Sequence, residues 1–166
     1  MLTITSARTP ADFDAFRELV LEFIDWALAS FHPNPDDAPA AISKVKEELA
    51  TLPGKYAEPD GVLFLAMVNN KPVGCLAGFR HDHQSIEVTR LWVRPEGRGL
   101  GVGRELVRHF LKQAKTNGYE RAVLRSHQEL KAAHKIYRNA GFTAIEGHAS
   151  FPGFENIEIA MDRQLP

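Results

Sequence analysis

An apolar run ending at Val93 and another opening at Val102 are joined through Arg98-Gly99-Leu100-Gly101-Val102-Gly103, in which three of six residues are glycine. The junction commits the chain to a strand, a tight turn and a helix, because glycine enters left-handed backbone conformations without steric cost. Backbone N–H groups converge in such a turn and the helix adds the positive end of its dipole, so the unit reads as a cradle for an anion, phosphate above all. Two nucleotide loops do not fit. A Walker loop closes on Gly-Lys-Ser or Gly-Lys-Thr, whereas Gly103 is followed by Arg104 and Glu105. A dinucleotide fingerprint sets a third glycine three places after its second, where this chain has Arg104.

Periodicity and turn signals give an alternating order of elements around that loop. Leu2 to Ser6 reads as a short strand, and Thr9-Pro10-Ala11-Asp12 as a capped helix start whose helix runs to about Ala29. Residues 31–37 break it, a second helix follows from Ala38 to Leu52, and residues 52–61 carry loop signals. Val62 to Val68, Lys71 to Arg80 and Ser85 to Val93 read as an antiparallel meander, its first turn at Asn69-Asn70. After the glycine loop, Val102, Leu106, Val107, Phe110, Leu111 and Ala114 form a helical stripe suited to packing on a sheet. Glu120 to Ser126 is a strand, Glu129 to Asn139 a helix with Gly141 as its C-cap, and Phe142 to Glu146 and Asn156 to Met161 are the last strands.

A chain of 166 residues suits one domain, here 1–166, which at this size buries roughly two thirds of its unfolded surface. The longest apolar run, Val62 to Val68, is too short to cross a bilayer and Met1 to Arg8 has no secretory core, so no membrane contact and a cytoplasmic address are expected. Cys75, the sole cysteine, sits in a buried-strand composition and reads as a packed thiol. His81-Asp82-His83 falls between two strands and lacks further ligands, so no metal is expected. The net charge of −1 is unevenly spread: residues 1–60 hold eleven acidic against five basic side chains, and residues 90–138 hold twelve basic against four acidic. The basic block contains the glycine loop and would attract a polyphosphate ligand. It lacks interleaved exposed aromatics, and nucleic acid is not expected as a partner.

Arg98, Gly101 and Gly103 also form an Arg-x-x-Gly-x-Gly pattern behind Ile86-Glu87-Val88-Thr89-Arg90-Leu91-Trp92-Val93-Arg94-Pro95. This resembles the acetyl-CoA signature of the GNAT superfamily of N-acetyltransferases. A second stretch, Ala133-His134-Lys135-Ile136-Tyr137-Arg138-Asn139-Ala140-Gly141-Phe142, is similar to the family's Ala-x-x-Leu-Tyr-x-x-x-Gly-Phe segment. The resemblance covers roughly residues 60 to 146. It implies an α/β (α+β) fold: a mixed, mostly antiparallel central sheet of six to seven strands flanked by about four helices. Two of those strands splay apart and receive the pantetheine arm of acetyl-CoA, the cosubstrate.

Carried over position by position, the resemblance assigns the pantetheine to backbone groups around Leu91, Trp92 and Val93, and the diphosphate to those of Arg98, Gly99, Leu100, Gly101, Val102, Gly103 and Arg104. Leu91 and Val93 read equally well as core strand residues. Acetyl transfer needs a neutral amine, and an alkylammonium of pKa about 10.4 is neutral in about one molecule in 2,500 at pH 7. Glu87 matches the family's catalytic glutamate and, four residues before Leu91, is expected on the same strand face. The bland alternative is a solvent-facing strand glutamate. Tyr137 matches the family tyrosine that protonates the departing thiolate; outside the motif it would read as core packing. Two departures concern the acceptor side: Leu130 stands where many relatives have Asn, and Ser126 offers a hydroxyl on the preceding strand.

Asp25, Trp26, Phe31, Asp36 and Asp37 could form an acidic, aromatic rim for a cationic small-molecule or peptide amine. Their composition equally suits a solvated helix connection. The resemblance therefore implies direct acetyl transfer to a primary amine in a ternary complex. A non-catalytic acetyl-CoA sensor and a phosphate-binding module unrelated to CoA are the alternatives, and a homodimer is open to the chain.

Overall fold

The computed structural model describes residues 1–31, 35–146 and 158–166. Its elements are β1 (Leu2–Ser6), α1 (Pro10–Phe31), α2 (Ala38–Ala50), β2 (Val62–Val68), β3 (Lys71–Arg80), β4 (Ser85–Val93), α3 (Val102–Thr116), β5 (Arg121–His127), α4 (Lys131–Asn139), β6 (Thr143–Ile145) and β7 (Glu158–Gln164), with single 3-10 turns at Gly54–Tyr56 and Pro95–Gly97. The strands form one sheet in the order β1-β2-β3-β4-β5-β7-β6. Every pairing is antiparallel except that of β4 with β5.

Local chemistry accounts for most of these elements. At the start of α1, Thr9 Oγ1 accepts from the Asp12 N–H at 3.2 Å while Asp12 Oδ2 accepts from the Thr9 N–H at 3.0 Å, a reciprocal cap. The Arg8 N–H also donates to Asp12 at 2.8 Å, and these bonds hold the Asp12 carboxyl below the usual carboxylate range. Asn69 and Asn70 turn β2 into β3 at φ of 52° and 63°, the left-handed pair a two-residue hairpin requires. Boundaries shift where packing outweighs pattern. Helix α1 continues to Phe31, α4 begins only at Lys131, and β7 runs on to Gln164; residues 156 and 157, where the pattern begins that strand, lie outside the described residues.

Both faces of the sheet are covered, which explains the unbroken apolar run of β2. Val62, Phe64 and Ala66 join Leu76, Ile86, Val88, Leu106 and Phe110 in the core beneath α3. Leu63 and Leu65 face the other way, with Cys75, Ala77, Trp92, Phe16, Leu19 and Leu49 beneath α1 and α2. Burying a side chain such as Phe110, which is 0% exposed, contributes roughly 1.5–3 kcal/mol.

One irregularity changes the reading of the site. Cys75 pairs with Trp92 and Ala77 with Thr89, so β4 spends three residues where β3 spends two. The extra residue is accommodated at Arg90, whose φ is +59°, and the alternation of β4 reverses there. Before the bulge Ile86 and Val88 face α3; after it Leu91 and Val93 face α3 and Trp92 faces α1. Strict alternation predicts Glu87 and Leu91 on one face; the bulge puts them on opposite faces.

Candidate active site

Strands β4 and β5 pair only at Ser85–Glu87 with Arg121–Val123, so their later residues share no ladder. Between the diverging ends lies a cleft of about 360 Å³. Its walls include Glu87 to Leu91 from β4, Arg125 to His127 from β5, and Leu130, Ala133 and Tyr137 from the α4 side. A parallel pair that opens in this way leaves backbone donors and acceptors along its inner edges, the chemistry an amide-bearing arm can satisfy.

Below β4 the chain enters the glycine loop. Gly99 and Gly101 have φ of +79° and +76°, and a Cβ built on either would meet nothing within 4 Å, so the space over the loop is open. Gly101 is the N-cap of α3, and no side chain caps the helix. The first N–H groups of α3 are thus available to an anion. The loop residues divide by role. Leu100 is exposed at the tip, as is Arg104 on the first turn of α3. Val102 is buried, and Gly103 admits close packing, since a Cβ there would stand 2.7 Å from Ile136 Cδ1 on α4. The Arg98 side chain turns back: its Nε donates to the Val93 carbonyl at 3.2 Å and its guanidinium lies 5.2 Å from the Trp92 ring centre. The indole of Trp92 is packed against Phe23 and Trp26 under α1, which leaves only its backbone for a ligand in the cleft.

Glu87 and Tyr137 both line the cleft. The Glu87 side chain is 8% exposed, which excludes the solvent-facing alternative. Arg125 Nη2 donates to its Oε2 at 3.3 Å, and the His81 Nδ1 is 3.4 Å from its Oε1 on the side where His81 reaches solvent. Tyr137 is 5% exposed and packs edge-on against Phe142, and burial alone pushes its hydroxyl pKa upward. It stays protonated throughout the neutral range, the state a proton donor requires. The packing and donor readings of Tyr137 are therefore compatible.

Several residues at the cleft carry no sequence signal that local pattern could reveal. His134 is buried on α4 and its Nε2 lies 3.1 Å from Ser126 Oγ on β5, which ties the helix to the cleft wall. Burial holds the pKa values of both His134 and His127 down. Lys55, Arg90 and Phe79 line the end beside Glu87. Cys75 does not line the cleft: its thiol is fully buried, donates to the Arg90 carbonyl at 3.2 Å and is pushed up to about 12 by burial.

The acidic rim is not brought to the cleft. Asp25 is exposed on α1, and Asp36 and Asp37 line a neighbouring groove against α2. Trp26 packs on Trp92 and Phe31, and the Phe31 ring stacks on His127 with centres 4.3 Å apart. His81 and His83 sit in the exposed bend between β3 and β4. Among the described residues no helix is long and apolar enough to cross a membrane.

Comparison with known proteins agrees with this architecture. The acetyltransferase (GNAT) family model matches residues 20–142. An N-acetyltransferase of Schizosaccharomyces pombe is 30% identical over 167 residues, 98% of this chain and 96% of its own length. N-acetylaspartate synthetase of Danio rerio is 28% identical over 78% of this chain, and that of Homo sapiens 30% over 64%; the matches span only 40% and 36% of those proteins. Among solved structures, the PaiA N-acetyltransferase of Thermoplasma acidophilum in complex with coenzyme A has the same fold at a TM-score of 0.78 and 17% identity, with 99% of each chain covered. A GNAT acetyltransferase of Staphylococcus aureus gives 0.75 at 20% identity over the whole of both chains. A family match over most of the chain, a relative aligned nearly end to end and a shared fold lead to one assignment: this chain belongs to the GNAT family and is an acetyltransferase.

Proposed function

We propose that the protein moves the acetyl group of acetyl-CoA to the primary amine of a small molecule by direct attack in a ternary complex. The observation that carries this reading is that Glu87 and Tyr137 line one cleft, opened between β4 and β5, where β4 leads into an uncapped helix start with open space above its glycines. Acetyl-CoA supplies the activated thioester. The backbone N–H groups of residues 99–104 hold its diphosphate, and the inner edge of β4 around Leu91 and Val93 orients its amide-bearing arm.

Glu87 accepts the amine proton, directly or through water, as the amine nitrogen bonds to the acetyl carbon. Its second partner, His81, is half exposed and gives that proton a path to solvent. The carbon–sulfur bond then breaks, and Tyr137 gives its hydroxyl proton to the departing sulfur. Relatives named N-acetylaspartate synthetase support a free amino acid over a protein lysine as acceptor. The test is thiol release from acetyl-CoA with a panel of amines. Amine-dependent release supports transfer, and binding of acetyl-CoA without release from any amine would establish the sensor reading instead.

A further inference from the structure

We propose that Lys55 and Arg90 form a carboxylate-binding subsite, and that the acceptor is a free amino acid acetylated on its α-amine. The inference rests on the acetyl-transfer reading above. Its starting point is the charge at the end of the cleft beside Glu87, where both cations line the wall.

Lys55 and Arg90 share one carboxylate. Glu48 on α2 accepts from Arg90 Nε at 3.0 Å and Nη2 at 3.3 Å, and the Lys55 Nζ lies 3.4 Å from its Oε1. Glu48 lines the adjoining groove with Asp36 and Asp37, and Lys55 and Arg90 stand between that groove and the cleft, lining both. Glu48 is thus the carboxylate that both cations contact. Elsewhere on the cleft wall Arg125 pairs with Glu87, and Glu158 stands with them. The cations are also fixed in place. The Arg90 side chain is 22% exposed and pinned along one edge by Glu48, and the Lys55 ammonium sits 4.0 Å from the centre of the Phe79 ring.

Donors remain. Arg90 spends Nε and Nη2 on Glu48 and neighbours the Tyr56 hydroxyl, which leaves N–H groups of its five over, and the Lys55 ammonium has three N–H groups with Glu48 as its ion-pair partner. Two anchored cations with spare donors suit the oxygens of a carboxylate. A polyamine would meet like charges at this end, whereas an amino acid presents its amine to Glu87 and its carboxylate to Lys55 and Arg90. This replaces the cationic acceptor suggested by the acidic N-terminal third, because Asp25, Asp36 and Asp37 do not line the cleft.

The experiment measures thiol release with L-aspartate, L-alanine, L-alaninamide and putrescine, for wild type, Lys55→Gln and Arg90→Gln. Wild type should favour alanine over alaninamide in kcat/KM. Each variant should lower that preference by roughly 10- to 100-fold, the size of hydrogen bonds to charged groups, mainly through KM. Comparing preferences between variant and wild type cancels the different basicities of the two amines. Arg90 is half-buried in an ion pair and its replacement can disturb folding; Lys55 is exposed, and an acetyl-CoA-dependent thermal shift checks that either variant is intact. Alaninamide or putrescine acetylated as well as the amino acids by wild type, or a preference unchanged in Lys55→Gln, would overturn the subsite and leave acetyl transfer standing. Thiol release with none of the four amines overturns the inference, and its absence across the wider amine panel overturns the reading on which it rests.

Discussion

Replacing Glu87 by Gln isolates proton removal from the other things a glutamate does in this cleft. Glutamine keeps the size of the side chain and an oxygen that still accepts from Arg125 Nη2, now 3.3 Å away, so the fold should survive. What is lost is a base in a site only 8% exposed, where bulk solvent is a poor substitute. For an alkylamine of pKa about 10.4, finding the neutral form in solution costs about 4.6 kcal/mol at pH 7 and about 1.4 kcal/mol at pH 9.4. The α-amine of a peptide or an amino-acid amide, of pKa about 8, sets a smaller limit, about 1.4 kcal/mol at pH 7. The ratio of wild-type to variant kcat/KM should therefore shrink about tenfold per pH unit until the amine's own pKa is reached. The assay is thiol release between pH 6 and 9.5 with one verified acceptor, and thermal unfolding of both proteins as the control. A ratio independent of pH would refute the base assignment and leave Glu87 as an electrostatic anchor for the acceptor.

Tyr137→Phe should retain acetyl-CoA affinity and lose about 10²-fold or more in kcat, measured by thermal shift and thiol release; unchanged turnover would confine Tyr137 to packing. Acetyl-CoA at a hundredfold excess over its Kd should stabilise wild type by about 2.7 kcal/mol, and Gly101→Val should abolish that gain in a thermal-shift experiment. His127 and His134 are neutral in the folded protein because burial lowers their pKa values, whereas the unfolded chain protonates them near 6.5. Their stability contribution is thus complete above pH 6.5 and declines as the pH falls toward their folded values. Denaturant unfolding from pH 5 to 8 should show this slope, and His134→Asn should flatten it.

Sequence pattern carries the parts of this molecule that depend on neighbours along the chain. The β2, β3 and β4 ranges, the Thr9 cap, the Asn69-Asn70 turn and the glycine loop are all local, and each is where its residues place it. The face of Glu87 is not local. It depends on β4 using one more residue than β3 opposite Cys75 to Ala77, and a bulge of this kind is a property of the pair. The cationic end of the cleft is still less visible, because Arg90 meets Glu48 across 42 positions of sequence. Charge counts point toward acidic residues near the N-terminus, whereas folding turns Asp25 outward and leaves Asp36 and Asp37 in an adjoining groove, across Lys55 and Arg90 from the cleft. His134 and Ser126 illustrate the same limit: both belong to recognisable segments, yet their contact exists only once α4 lies against β5.

The open space beside Gly99 and Gly101 separates two kinds of selection on glycine. A side chain at either position strikes nothing and pays mainly in backbone strain, about 1 kcal/mol and least for Asn, which tolerates the left-handed region. Gly61 is the opposite case, since a Cβ there would stand 2.4 Å from the Tyr56 backbone. Variants recovered from a library for folding alone would therefore hold Gly61 fixed and let positions 99 and 101 drift to Asn. A library sorted for acetyl-CoA capture would keep all three, and the difference between the two populations would trace the outline of the ligand without any ligand in view.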